Sequence, residues 1–224
     1  VSVVGAGSAS RYSAVAGLSD GGYVVAYHEA VSTANHVYYQ RYDASGTAVG
    51  TPVDATPGTN SAAYPVVVAL SSGGWVVGST SIVSNAQSDG IFTVYDVNGT
   101  VLNSNVRINL DAAYSEIYPV LTPLQDGGFA AVVRGNGQFE LQRYDNTGSA
   151  IGSTVVVTGA MGGYQNGTNN TPTLTQLTDG SYVLIWGGAS GSTTALFAQK
   201  LNSSFVAVGS PTKITTPSGT NTDT

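Results

Sequence analysis

One phrase is written four times along this chain. It reads LSDGGYVVAYHE from Leu18, LSSGGWVVGSTS from Leu70, LQDGGFAAVVRG from Leu124 and LTDGSYVLIWGG from Leu177, so its leucine recurs at spacings of 52, 54 and 53 residues. A second phrase follows each copy: YYQRYDASGTAVG from Tyr38, IFTVYDVNGTVLN from Ile91, FELQRYDNTGSAIG from Phe139 and LFAQKLNSSFVAVG from Leu196. Self-similarity at a period near 40 to 50 residues marks a repeat architecture, in which each unit buries its faces only against its neighbours.

Within one copy the strands are readable. YPVVVAL is short and β-branched, SSGG is a turn, WVVGSTS is a second strand, and IFTVY, the turn DVNG and TVLNSNVRIN complete the unit. Asp43, Asp96 and Asp145 open the second turn, where a carboxylate bonds the backbone ahead, and Gly46, Gly99 and Gly148 supply the positive φ that the reversal needs. In the fourth copy this turn has decayed to Asn202-Ser-Ser-Phe205. No segment holds a 3.6-residue apolar period, so no helix is expected. Four units of four hairpin-linked strands predict an all-β fold, a β-propeller of four blades with four antiparallel strands each. The repeats fall at about 12–56, 64–111, 118–158 and 171–215, giving a single propeller over 1–215 and a linker-like tail over 216–224. Tyr23, Trp75, Phe129 and Tyr182 after the first turn, and Tyr42, Tyr95, Tyr144 and Leu201 before the second, are expected to fill the wedges between blades.

YPVLTPLQDGGFAAVV followed by FELQRYDNTGSAIG resembles the repeats of very large secreted bacterial proteins, the RTX-type adhesins and surface proteins. The second copy departs from that pattern with Val94 where Arg41 and Arg143 stand, and the fourth with Lys200 and no Asp turn. The resemblance implies an extracellular module of a modular protein and not an enzyme.

Composition narrows the partners. Charged residues make up only 9% of the 224, against about 25% in typical domains, and Gly, Ser, Thr and Asn replace them, which suits an extracellular or cell-surface protein. Seven Lys and Arg are scattered through a chain of net charge −6, which argues against nucleic acid and against an anionic membrane. No apolar run reaches about 18 residues, so no membrane insertion is expected. Cysteine is absent, which removes disulfides, thiolate metal sites and Cys nucleophiles. The chain opens at Val1 without Met or signal peptide, which reads as a processed piece of a longer polypeptide.

The opening VSVV aligns with the strand that ends a blade, so the chain carries one such strand too many. It adds a fifth strand to the last blade, or displaces TKITT there, or belongs to a larger ring. A displaced strand would pair with another copy, so Val1, Val3, Lys213 and Ile214 are candidate self-association positions.

No catalytic set is visible along the sequence. Asp43, Asp96 and Asp145 stand singly and lack the alternating ligands of a calcium loop, so no metal or cofactor is expected. The acids outside the turns include Glu29, Asp54, Asp89, Asp111, Glu116 and Glu140, and no pair among them stands out as a glycosidase dyad. His28 and His36 read as ordinary loop or strand-end residues. Two rows recur at one blade position. Arg41, Arg143 and Lys200 precede the second turn, and Tyr12, Tyr64 and Tyr118 precede the first strand; both are candidate ligand-binding sets, for acidic sugars and for sugar stacking. Gln40, Gln142 and Gln199, with Thr93, are expected to hydrogen-bond from blade to blade. Asn98, Asn166, Asn169 and Asn202 each begin an Asn-x-Ser/Thr triplet, a candidate glycan attachment site. These readings predict a non-enzymatic extracellular structural or adhesive module, a building block of a surface protein or fibre, whose partners are copies of itself, neighbouring modules or glycans. The alternative is a carbohydrate-binding, lectin-like propeller.

Overall fold

The computed structural model describes residues 11–31, 34–82, 88–108, 115, 117–135, 138–157, 171–190 and 193–214. It is all β. The first sheet holds β1 (Arg11–Gly17), β2 (Tyr23–Val31), β3 (Ala34–Tyr42) and β4 (Ala48–Asp54). The second holds β5 (Ala62–Ala69), β6 (Trp75–Ser81), β7 (Asp89–Tyr95) and β8 (Val101–Arg107). The third holds β9 (Ile117–Pro123), β10 (Phe129–Gly135), β11 (Gln138–Tyr144) and β12 (Ala150–Val157). The fourth holds β13 (Thr173–Gln176), β14 (Tyr182–Ser190), β15 (Thr193–Leu201) and β16 (Ala207–Ile214). Every sheet is a four-stranded antiparallel meander in chain order, the blade of a β-propeller.

The chain forms two compact units, Val1–Val156 with the first three blades and Val157–Thr224 with the fourth. In the first unit β5 lies against β1, β2 and β3, and β9 lies against β5, β6 and β7, so the first strand of each blade is innermost. The outermost strands β4, β8 and β12 are largely exposed, whereas every β6 and β10 residue is buried or nearly so. Between the first two blades Val24, Val37, Tyr39, Trp75, Val77 and Tyr95 share one core, with Tyr39 edge-on to both Trp75 and Tyr95. Between the second and third, Phe92 sits edge-on to Phe129 and Tyr144, which stack on each other at 5.1 Å. Of the positions expected to fill the wedges, Trp75, Tyr95, Phe129 and Tyr144 do so in the first unit, whereas Tyr23 is half-buried and stacks on Tyr42 of its own blade. In the second unit Tyr182, Leu184, Trp186 and Leu201 are fully buried, and Trp186 stacks on Phe197.

The repeated phrases are hairpin turns. Leu18, Leu70, Leu124 and Leu177 each donate their N–H to the carbonyl four residues on and accept from the N–H three residues on. In the second and third blades the second glycine of the phrase sits where the two turns abut, and a Cβ at Gly74 or Gly128 would lie 2.2 Å from the carbonyl oxygen of Tyr95 or Tyr144, whereas the fourth blade takes Ser181 there. In the second turn Asp43, Asp96 and Asp145 each accept the N–H groups two and four residues ahead. The fourth copy has not decayed. Asn202 accepts the same two N–H groups, and Phe205 takes the glycine position at φ 62.

Two more expectations are corrected here. Lys213 and Ile214 belong to β16 and pair with Phe197 and Leu196, so up to Ile214 this strand stays in its own blade and is not displaced from it. Val1, Val3 and the tail 216–224 lie outside the described residues. The glutamines do not bridge blades. Nε2 of Gln40, Gln142 and Gln199 donates within the blade to three carbonyls at the bulge between third and fourth strand, for example Arg41, Val49 and Gly50. Of this row, Thr93 crosses toward the neighbouring blade, its Oγ1 donating to the Ala55 carbonyl.

Candidate active site at the loop end of the blades

A four-stranded meander has two unlike ends. Both hairpin turns of each blade lie at one end. The other end gathers the start of the first strand, the end of the second and the start of the third. The two candidate ligand-binding rows fall on opposite ends, because Arg41, Arg143 and Lys200 precede the second turn while Tyr12, Tyr64 and Tyr118 open the first strand.

At the turn end the cations are matched inside their own blades. Arg41 pairs with Asp20 and Arg143 with Asp126, both at 2.6 Å, and Lys200 pairs with Asp179 at 3.2 Å. Ser72 and Val94 replace both partners at once in the second blade. Asp179 is held down to about 2, first by the Ser181 hydroxyl and amide and then by Lys200.

The loop end of the first unit is different. Tyr12, Tyr64 and Tyr118 sit at φ 56, 58 and 56, a left-handed conformation that costs a bulky residue energy. The strand register slips at each of them. Three copies of one bulge bring the rings into a row, with centroids 4.7 Å apart from Tyr12 to Tyr64 and 4.6 Å from Tyr64 to Tyr118. The Tyr118 side chain beside Tyr64, together with burial, holds the Tyr64 pKa above the usual value. Tyr12 is the exposed member, at 55%. Beneath the row, one blade position carries His28, Thr80 and Arg134, all buried. His28 lies edge-on to Tyr12, Thr80 accepts the Tyr118 N–H at 3.0 Å, and the Arg134 guanidinium lies 5.5 Å over the Tyr118 ring. The fourth copy lacks the tyrosine, with Thr171 in its place.

The first blade adds a second cluster at the same end. Glu29 stands across from His36, and Asp54 across from Tyr38. Side chains alternate along strands, so Tyr27, Glu29, His36, Tyr38 and Asp54 share one face. Nδ1 of His36 lies 3.0 Å from Oδ2 of Asp54, and Tyr38 stacks on Tyr27 at 6.1 Å. Burial, then Glu29, lifts the Tyr27 phenol to about 12, and burial, Asp54 and Glu29 raise Tyr38. In the third blade Glu140 occupies the Tyr38 position and is 2% exposed.

Sequence reasoning set His28 and His36 aside as ordinary and passed over Arg134 and Thr80. The signal was present for three of them: His28, Thr80 and Arg134 stand five residues after Tyr23, Trp75 and Phe129, one position repeated in three copies. Among the attachment candidates, Asn98 lies in an exposed turn, while the Asn202 side-chain oxygen is already used by its turn. Asn166 and Asn169 lie outside the described residues. Among those described, no group of three or more His, Asp or Glu side chains is placed to hold a metal ion.

No family model matches the chain, and no curated protein matches it in sequence. Solved structures do. An α-L-arabinanase of Penicillium chrysogenum complexed with arabinobiose superimposes with a TM-score of 0.61 at 16% identity, covering 94% of this chain and 68% of its own. A thermostable family-43 glycoside hydrolase gives 0.55 at 13%, covering 94% and 73%. An endo-arabinase of Bacteroides thetaiotaomicron gives 0.52 at 13%, covering 86% and 77%. These are β-propellers of glycoside hydrolases, which overturns the resemblance to RTX-type adhesin repeats. The residues that carried that resemblance, Asp-Gly-Gly and Asp-x-x-Gly, are the geometry of the two hairpins and report the blade alone. The expectation of a non-enzymatic structural or adhesive module is corrected by the same structures, which are carbohydrate-active enzymes. In fold, this chain is similar to the propellers of glycoside hydrolases.

Proposed function

We propose that this chain is a carbohydrate-processing enzyme that holds a glycan at the loop end of its first unit. The observation that carries the reading is the row of Tyr12, Tyr64 and Tyr118: one strained bulge made three times, with the rings gathered and Tyr12 open to solvent. Strain repeated in this way is characteristic of functional positions. A tyrosine presents an apolar face and a polar edge, the pairing that a sugar ring offers in return. The names of the structural neighbours support the reading, since arabinan-cleaving and other glycoside-hydrolysing propellers share the fold. The uncharged polar surface suits work on polysaccharide outside the cell or at its surface.

The test combines a glycan array with release of reducing ends from arabinan and from β-1,2-mannan. Binding and turnover that both fall in Tyr12→Ala, with the melting temperature unchanged, support the reading. A protein that neither binds nor cleaves any glycan offered refutes it.

A further inference from the structure

We infer that His36, braced by Asp54 and faced by Glu29, forms an acid–base site for cleaving a glycosidic bond; this deepens the carbohydrate-processing reading and rests on it. Nδ1 of His36 lies 3.0 Å from Oδ2 of Asp54, close to but not in line for a full hydrogen bond, a geometry that substrate commonly tightens. The carboxylate itself is fixed, since its Oδ1 accepts the Thr56 N–H at 2.8 Å and the Thr56 hydroxyl at 3.1 Å. Thr56 is tied in turn to β3, its Oγ1 accepting the Val37 N–H at 3.1 Å. Asp54 thus takes Nδ1 and leaves Nε2 for chemistry. The Tyr38 ring, 6.4 Å from the imidazole and stacked on Tyr27, gives the cluster an apolar side.

The repeat supplies its own control. In the second blade the positions of His36 and Asp54 are held by Asp89 and Arg107, an ion pair of 2.8 Å. That pair ties third strand to fourth, and a guanidinium offers donors but no acceptor. In the first blade the same tie is made with an imidazole, the side chain that exchanges protons near neutrality. The residue across from it differs too. Ser81 stands across from Asp89 and Gly135 across from Gln138, whereas Glu29 stands across from His36. Only in the first blade, among the described residues, do a proton acceptor and a carboxyl meet at this level.

The step is hydrolysis. Nε2 of His36 takes a proton from water as the water oxygen bonds to the anomeric carbon. The bond from that carbon to the glycosidic oxygen breaks, and Glu29, entering as the acid, gives its proton to the leaving oxygen. The imidazolium then returns a proton through solvent to the Glu29 carboxylate, restoring both groups. The Asp54 carboxylate beside the site disfavours an anionic sugar, so the substrate class is a neutral polysaccharide.

The experiment measures reducing-end release from arabinan and from β-1,2-mannan, and glycan binding in parallel. His36→Gln and Glu29→Gln are expected to lose about 10²- to 10⁴-fold in kcat while KM and glycan binding stay within about threefold. Added imidazole is expected to restore turnover to His36→Ala, which a brace between strands would not show. If either Gln variant keeps more than a third of wild-type kcat with its circular dichroism unchanged, the assignment is wrong and the glycan reading stands. If the wild type binds glycan but turns over neither polysaccharide, the acid–base assignment falls alone, and if it neither binds nor cleaves any glycan offered, both fall. Asp54→Asn also loosens the Thr56 contacts, so the two Gln variants decide.

Discussion

Arg41 pairs with Asp20 at 2.6 Å, donates to the Val97 carbonyl of the next blade, and lies 5.8 Å over the Trp75 ring. One side chain therefore ties a turn of its own blade to the core edge of its neighbour. Arg41→Ala is expected to lower the melting temperature clearly more than Asp20→Ala. The first loses the stem and the ring contact, while the second loses an exposed charge partner and the acceptor of the Gly22 N–H. Molar salt should remove the ion-pair part of the Asp20 effect, leaving the turn part, and little of the Arg41 effect in thermal unfolding.

Acid should loosen the turn end. Asp43 is held below the usual carboxylate range first by the Ser45 hydroxyl and then by the Thr47 N–H, and Asp179 is held at about 2. A carboxylate with a lowered folded pKa contributes stability above its unfolded value, about 3.9, and that contribution is lost as pH falls through the folded value. The melting temperature should stay level from pH 7 to about 5 and drop between about 4 and 2. Asp43→Asn should keep the turn, as Asn202 does in the fourth blade, and should flatten this acid limb.

Phe92 is fully buried and edge-on to both Phe129 and Tyr144. Phe92→Ala is expected to cost about 3–5 kcal/mol in urea unfolding, through lost transfer energy and the cavity left between two blades. Phe92→Leu should cost clearly less.

Gly90 marks a tight approach of the second blade to the third, since a Cβ there would lie 2.5 Å from Cγ1 of Val133. Gly90→Ala should destabilise by about 1–3 kcal/mol through overpacking. Val133→Ala introduced beside it should restore part of that loss, and a cycle of the four proteins measures the coupling.

The blade was legible because its rules are local. A turn needs Asp or Gly within a few residues of itself, and a wedge needs one large residue at one offset, so Leu18, Asp43, Gly46 and Trp75 announced their roles by spacing. The Arg41 row was legible as a row, but its partner Asp20 lies 21 residues away and meets it only once the blade folds. The glutamines were misread for the same reason: their carbonyl partners belong to a bulge that sequence does not display. The loop-end cluster was hidden most deeply. Glu29, His36 and Asp54 come from three strands, and register alone sets them on one face. A search for a spaced motif has no purchase on a site assembled in that way. The strain at Tyr12, Tyr64 and Tyr118 was likewise invisible, because tyrosine is an ordinary strand residue until its φ is known.

Ser72 and Val94 have dropped both halves of the contact that Asp20 and Arg41 make elsewhere. A hairpin transplanted alone from the second repeat into the first would strand a guanidinium, whereas the hairpin moved together with its third strand would carry a neutral fit. The unit that such a protein can duplicate, shuffle or trade is thus the turn with its distant strand, and chimeras cut between them should fold worse than chimeras cut around them.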